Sequence, residues 1–377
     1  AFLKLITEND FMCVLDESTH IKSHKSIAYK RIMRIAERFK YRYVMSGTPT
    51  PNSMLDIWTQ INFVRPDILG PSFFKFRKQF GEFVKIYPSG RKQYADISQL
   101  NIPSVARSYM QRGFRWSVSQ ERTAEILETI KPFTHWIKEK DVLDLPEQQF
   151  LFRPFELSLN EKKAYKQFEK DMILKDKTVS VDTATAKMMK LRQLCGGFIY
   201  DNAGYTATGT SKLDALFELL EEIGHKQVVI WVHFRYEAEQ IIERLKENGK
   251  TFACISGAVN ADDKAKASND FINGDVQYMV ANPASAGHGL TWVNANYAVY
   301  YSMDFNYETW YQSTKRIHRR GQNSRTFYYT LVAEGTLEKR IVKAIQNKQG
   351  LQDFIEEIIN DGKPAEKQVQ EMVSDRV

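Results

Sequence analysis

Between about residues 210 and 335, short and almost wholly apolar runs alternate with amphipathic stretches of helical period, and no other feature restricts the fold as tightly. A run without polar alternation has to bury both faces, which a strand does in a parallel sheet covered by helices on each side. Ser211-Lys212-Leu213-Asp214 reads as a capping box, followed by Leu216, Phe217, Leu220 and Ile223 at helical spacing and a terminating Gly224. Val228 to Val232 then reads as a buried strand, and Ala238, Ile241, Ile242 and Leu245 share one face of a helix that stops at Gly249. Three more strands are expected at Phe252 to Ile255, Val276 to Ala281 and Tyr297 to Tyr301, with a helix near Asp262 to Ile272.

The first 65 residues repeat this theme in shorter form, with strands at Phe11 to Leu15 and Tyr41 to Met45 around a helix from Ile27 to Phe39. Two strands are too few for a domain, and the chain opens in mid-pattern without an initiator methionine, so a segment upstream of Ala1 is expected. From about 66 to 146 the rhythm gives way to a basic, aromatic-rich insertion of expected helical structure. Residues 147 to 209 mix a short strand-like start, Phe150 to Phe152, with helix that includes Lys187 to Leu194. The expected division is 1–146, then 147–350 with its helical lead-in at 147–209, then an acidic tail at 351–377 whose clustered Phe354, Ile355, Ile358 and Ile359 read as a packing helix in preference to a partner site. A length of 377 residues agrees with two domains.

Composition closes off other classes. With 43% hydrophobic and 26% charged residues the chain has the balance of an ordinary globular protein, and no apolar run approaches the ~18 residues of a membrane span. Three cysteines, Cys13, Cys195 and Cys254, without a CxxC pair support neither a disulfide framework nor a cysteine zinc site, and a reducing compartment fits best. The net charge of +7 permits a polyanionic partner. Six cations between Pro71 and Tyr94 face one acid, Glu82.

Chemistry concentrates in a few segments. Asp16-Glu17-Ser18-Thr19-His20 follows the first strand, where parallel sheets place their ligands. One carboxylate there suits a magnesium ion and its neighbour suits an attacking water, although such a pair is more often a solvated strand end. The second strand ends in Ser46-Gly47-Thr48-Pro49, a hydroxyl-rich turn suited to carboxylates or phosphate-bound water, or simply to capping the helix that starts near Ser53. Late in the chain, Gln312, Arg316 and Arg319 fall at i, i+4 and i+7, so a helix puts them on one face, where two guanidinium groups suit a γ-phosphate. A bare charge run of this kind is usually a solvated face.

The order of these segments decides between the readings. Asp-Glu-x-x-His, then Ser-Gly-Thr-Pro, then Gly287-His288-Gly289-Leu290-Thr291, then Gln312-x-x-x-Arg316-x-His318-Arg319-x-Gly321-Gln322 resembles motifs II, III, V and VI of the Swi/Snf-like branch of superfamily-two helicases. Asp144-Leu145-Pro146, Leu191-Arg192-Gln193-Leu194-Cys195 and Ser211-Lys212-Leu213 support it, and the resemblance covers nearly all of residues 10 to 345. It implies an α/β fold of two RecA-like lobes, the first incomplete and carrying the insertion, with ATP and Mg²⁺ in the cleft and double-stranded DNA across the opposite face. On the same carry-over Asp16 coordinates Mg²⁺ and Glu17 activates water, while Ser46, Thr48 and His20 couple nucleotide state to lobe movement. Arg316 and Arg319 reach the γ-phosphate, Gln312, Gly287 and Gly289 bind nucleotide, and Thr291 approaches the DNA backbone. Lys75, Arg77 and Lys78 are further candidates for DNA, with the neighbouring Phe73, Phe74 and Phe76 expected to pack the insertion while the cations face solvent.

The resemblance has gaps. Phe305-Asn306-Tyr307 stands where the family often has Trp-Asn-Pro, and Thr134-His135-Trp136 where arginine is usual. The phosphate-cradling P-loop is missing; Gly249-Lys250-Thr251 is a decoy, since it follows a helix and precedes a strand. The implied function is an ATP-dependent duplex-DNA translocase that displaces or remodels DNA-bound proteins, inactive as this stretch alone. The alternatives are an inactive nucleic-acid-binding or partner-binding scaffold on the same lobes, and an RNA helicase. No membrane partner is expected, an oligomeric state is not legible, and the setting is the cytoplasm of a bacterium or virus-infected cell, or a nucleus if the source is eukaryotic.

Overall fold

A computed structural model describes residues 10–51, 53–86, 92–95, 100, 103–111, 114–135, 143–174, 181–201, 204–257, 259–286 and 289–346. The acidic tail and Gly287 lie outside them. The chain divides into two compact units, Ala1–Ile137 and Lys138–Val377. No helix among the described residues is long and apolar enough to cross a membrane.

Unit 1 begins with two parallel strands, β1 (Met12–Leu15) and β2 (Tyr41–Val44), in the register Met12 to Tyr41. Helix α1 (Ile27–Met33) joins them and starts at Ser26, whose hydroxyl accepts from the Tyr29 amide at 3.1 Å. The helix expected to run to Phe39 stops at Met33 and resumes only as a 3-10 turn, Ala36–Arg38. One face of the sheet, with Cys13, Leu15 and Val44, packs on Ile57, Trp58 and Ile61 of α2 (Ile57–Val64). The other face leaves Met12, Val14, Tyr41, Tyr43 and Met45 exposed. Helices α3 (Phe73–Phe80), α4 (Pro103–Gln111) and α5 (Gln120–Ile130) form the expected helical part of the insertion. To these the structure adds an antiparallel sheet of β3 (Glu82–Ile86), β4 (Lys92–Tyr94) and β5 (Arg115–Ser117) in the order β4-β3-β5, which helical periodicity did not reveal. Phe83 of β3 and Phe114, just ahead of β5, are buried together.

Unit 2 opens with β6 (Gln148–Phe155) and a short separate hairpin of β7 (Phe198–Asp201) and β8 (Gly204–Ala207). The strands β9 (Val228–Trp231), β10 (Phe252–Ile255), β11 (Tyr278–Ala281), β12 (Tyr297–Tyr300) and β13 (Thr326–Ala333) follow. With β6 they make a six-stranded parallel sheet in the order β10-β11-β9-β12-β13-β6. The reason for unbroken apolar runs is visible in β9: Val228 and Ile230 face one core, Val229 and Trp231 the other, and all four are fully buried. The first core is closed by α6 (Leu159–Leu174), α7 (Val181–Cys195), α8 (Ser211–Ile223), α9 (Arg235–Glu247) and α12 (Glu338–Gln346), the second by α10 (Ala261–Ile272) and Trp292. At about 1.5–3 kcal/mol for each buried aliphatic or aromatic side chain, these two cores are the main stabilising term of the unit.

The capping box expected at Ser211 does not form. Thr210 is the N-cap residue of α8, and its hydroxyl donates to Asp214 at 2.9 Å. The Ser211 hydroxyl instead bonds Glu161 of α6, a carboxylate that also accepts from the Ser158 amide at 2.8 Å. A tertiary partner has displaced the local one.

Candidate active site

In unit 1 the two acids sit at the carboxyl end of β1. Asp16 is exposed, and one of its oxygens accepts from the Glu17 amide at 2.9 Å. Glu17 takes the left-handed conformation (φ 49°), the only non-glycine residue with positive φ among the described residues, at a cost of roughly 1–2 kcal/mol. Its carbonyl accepts from the His20 amide at 3.0 Å and starts a 3-10 turn, Ser18–Ile21. The Ser18 amide bonds the Met45 carbonyl and the Met45 amide bonds the Leu15 carbonyl, both at 2.9 Å, so the two strand exits stay paired beyond the strands.

One side chain that sequence reasoning missed joins the two loops. Gln60, buried in α2, accepts from the Ser18 hydroxyl at 2.6 Å and donates to the Pro49 carbonyl at 2.6 Å and the Asp56 carbonyl at 3.0 Å. The signal was there: Thr59, Gln60 and Asn62 are polar residues inside the otherwise apolar Ile57–Val64 helix, and all three are buried. Within the Ser46–Pro49 loop the Thr48 amide donates to the Ser46 hydroxyl at 3.1 Å. The Thr48 hydroxyl is shielded from solvent and makes no hydrogen bond among the described residues, a deficit of about 1–3 kcal/mol that a ligand oxygen or water would recover. Asp16, Glu17, Ser46, Thr48 and the exposed His20 thus gather at one end of one sheet. No group of three or more His, Cys, Asp or Glu side chains forms a metal cage among the described residues. The exposed Asp16 carboxylate is an oxygen donor of the kind that magnesium takes singly or in pairs, with water and phosphate oxygens completing its shell.

In unit 2 the expected single helical face does not exist. Helix α11 (Tyr307–Thr314) ends before either arginine, and the chain continues in turns, the Arg316 amide bonding Ser313 and the His318 amide bonding Thr314, both at 3.2 Å. The physical reason lies in the last turn, where the Ser313 and Thr314 hydroxyls donate back to the carbonyls of Trp310 and Tyr311 at 2.6 and 2.7 Å and compete with the helical ladder. Gln312 therefore lies on the helix, and Arg316 and Arg319 on the turns that follow.

The turns nevertheless bring two distant segments together. The Trp292 amide donates to the Arg316 carbonyl at 2.7 Å, Arg316 Nη1 donates to the Leu290 carbonyl at 3.0 Å, and Arg319 Nη1 donates to the Thr291 hydroxyl at 3.2 Å. Buried Gln322 adds bonds to the carbonyls of Val293 and Ala295 at 3.1 and 2.9 Å. Gly289 stands at φ 97°, where a side chain would be strained. The two arginines differ: Arg316 is buried against the backbone of 290, whereas Arg319 is exposed. His318, also buried, lies 2.8 Å through Nε2 from the Pro146 carbonyl and holds this turn to the entry of β6.

Arg192 and Lys212, from two of the three segments that support the family resemblance, are buried. Lys212 pairs with Glu338 of α12, and the Glu338 carboxylate also accepts from the Ala333 amide at 2.9 Å. Arg192 bonds the Met303 carbonyl, with its guanidinium 5.1 Å from the Phe234 ring and 5.0 Å from Phe305, so the phenylalanine that departs from the family pattern has its own partner. Burial, followed by the nearby Arg192 charge, brings the His233 pKa down to about 4.

The basic helix α3 also departs from expectation. Lys75 and Lys78 are exposed, but Arg77 stacks its guanidinium 4.4 Å from the Trp116 ring, and burial lowers its pKa. Phe76 is buried as expected, whereas Phe74 is exposed. The decoy Gly249 (φ 61°) lies in the turn between α9 and β10, the wrong polarity for a phosphate loop.

Residues 4–197 match the model of the SNF2-related domain and residues 211–321 that of the helicase conserved C-terminal domain. Putative protein p41 of Acyrthosiphon pisum secondary endosymbiont phage 1 is 26% identical over 91% of this chain and 71% of its own length. A Mycoplasma pneumoniae protein described as an uncharacterized ATP-dependent helicase is 23% identical over 93% of this chain, which spans 31% of that protein. The Sulfolobus solfataricus SWI2/SNF2 ATPase core in complex with dsDNA is 19% identical with a TM-score of 0.45, covering 99% of this chain and 73% of that one.

Proposed function

The chain belongs to the SNF2-related domain family, and from that premise we propose that it is the core of an ATP-driven translocase on duplex DNA. The observation that carries the proposal is the lacing of Leu290-Thr291-Trp292 to Arg316 and Arg319, which holds the exposed Arg319 guanidinium on a fixed turn. A scaffold has no need of that arrangement, whereas hydrolysis of a phosphoanhydride does, because charge builds on the γ-phosphoryl oxygens as the bond to the leaving ADP breaks.

In this reading Glu17 orients the attacking water and accepts its proton, and its loop is held by Ser18 and Gln60. Asp16 holds Mg²⁺, which neutralises phosphate charge when bound. Arg319 stabilises the transferred phosphoryl group. Arg316 braces the Thr291 segment, the role its burial favours, and Gln312 and Gly289 serve nucleotide binding from the same region. Ser46, Thr48 and His20 pass the nucleotide state to the rest of unit 1, through the loop that Gln60 ties to the acids. Thr291, Lys75 and Lys78 contact DNA phosphates, with Arg77 shaping the surface from its stack on Trp116. DNA-bound proteins are the objects displaced.

The test is DNA-stimulated ATP hydrolysis by a protein that joins a phosphate-binding loop to residues 1–377. Arg319→Ala is expected to lower kcat by about 10³ or more, with ATP affinity kept. Glu17→Gln is expected to bind ATP and not turn it over. A loss confined to KM in the first variant, or normal turnover in the second, would remove that residue from the mechanism.

A further inference from the structure

Residues 22–42 carry eight lysines and arginines against one acid, Glu37, a surplus of seven. The net charge of the whole chain is +7, so all other residues together sum to zero. The structure shows where this charge goes. Tyr29 turns inward from α1, is buried, and donates its hydroxyl to Asn62 at 2.7 Å, which fixes the rotation of the helix. At 100° per residue the outward arc then holds Ile27, Lys30, Arg31 and Arg34. All four are exposed, Ile27 at 68%, and the three cations, with exposed Lys25 just ahead of the helix, have no ion pair among the described residues.

The strip is continuous with a second basic element. The His24 ring stacks on Phe73 at 4.1 Å and meets the exposed Phe74 edge-on at 5.7 Å, so the loop before α1 seats on the first turn of α3. Burial and then the positive charges of Lys25, Arg77 and Lys30 lower the His24 pKa, which places these cations around one point. Unpaired like charges held this close repel one another, and a surface that retains them gains by neutralisation. Lys30 and Arg31 lie on α1 and Arg34 caps its end, a span of about 6 Å from Lys30 to Arg34 at helical rise, with Lys25 in the turn just ahead of the helix. An extended polyanion with regularly spaced charge fits such a row, and exposed Ile27 and Phe74 offer apolar surface to sugars or bases beside it.

We propose that the outward face of α1, Lys25, Lys30, Arg31 and Arg34, is a phosphodiester-binding strip that holds a nucleic-acid duplex without help from nucleotide. It is separate from the residues assigned above to ATP or DNA, and it does not rest on the motor reading.

Binding of the 377-residue chain to a short blunt DNA duplex, followed by fluorescence anisotropy without ATP across a salt series, tests it. The triple variant Lys30→Gln, Arg31→Gln, Arg34→Gln is expected to weaken binding at low salt and to flatten the slope of log K against log salt by about 2–3, close to 0.9 for each phosphate left without its cation. Thermal melting checks its fold, and Lys25→Gln with Arg34→Gln gives a milder second variant with an expected slope change of about 2. Unaltered affinity and slope in both variants, or no duplex binding by the parent chain, would overturn the proposal. So would poly-glutamate competing as well as duplex at equal charge, since the strip would then not select phosphodiesters. Loss of ATP turnover in the Arg319 variant bears on the motor alone.

Discussion

His233 shows how strongly a single position can tie stability to pH. Its folded pKa of about 4 lies below the usual 6.5 because burial and Arg192 both disfavour the imidazolium. The unfolded chain therefore takes up a proton that the folded chain refuses between those values, and stability falls as pH drops from about 6.5 to about 4, by up to roughly 3 kcal/mol. Buried Glu237 and half-buried Asp304, whose pKa values desolvation raises, push the other way, so the informative quantity is a difference. His233→Gln is expected to remove the His233 part of the slope in urea unfolding at pH 7, 6 and 5; an identical slope in both proteins would contradict it. None of this was legible in the sequence, because the partners of His233, Arg192 and Ser302, lie far from it along the chain.

Elements were legible where periodicity alone sets them, and obscure where a distant side chain intervenes. The buried strands Val228–Trp231 and Phe252–Ile255 and the helix Ala261–Ile272 fall within a residue or so of where the apolar pattern puts them. The end of α11 was not, since nothing in the run Gln312 to Arg319 announces that Ser313 and Thr314 will bond backwards and stop the helix. Ser211 likewise has a local signature that Glu161 overrides. The pair between Lys212 on α8 and Glu338 on α12 is the sharpest case, a buried bond between two helices. Lys212→Met leaves an uncompensated buried carboxylate and is expected to cost about 3–5 kcal/mol. Adding Glu338→Gln should restore most of that, and a double mutant no more stable than the single would show that packing, not charge, decides the site.

At the scale of the molecule the two units present their sheets differently. Unit 2 covers both faces of its inner strands β9 and β11, which are fully buried, and exposes apolar residues on the edge strand β6, whereas β1 and β2 cover one face and expose Met12, Val14, Tyr41, Tyr43 and Met45. Local opening is cheaper where less apolar packing must be broken. Backbone amides of Val228–Trp231 and Tyr278–Ala281 are expected to exchange with deuterium orders of magnitude more slowly than those of Met12–Leu15 and Tyr41–Val44. Equal protection would mean that the exposed face does not weaken the small sheet. The sequence made β1, β2 and the strands β9 to β12 visible, but not this contrast, because an apolar residue in a strand looks the same whether or not something covers it.

The left-handed backbone at Glu17 has an evolutionary reading. At φ 49° the position favours glycine, or asparagine failing that, and a chain selected only to persist would drift toward one of them and shed the strain. On the proposed function, the work of this carboxylate on the attacking water offsets that strain. Libraries sorted for thermal endurance should therefore lose Glu17 early, and libraries sorted for turnover should keep it.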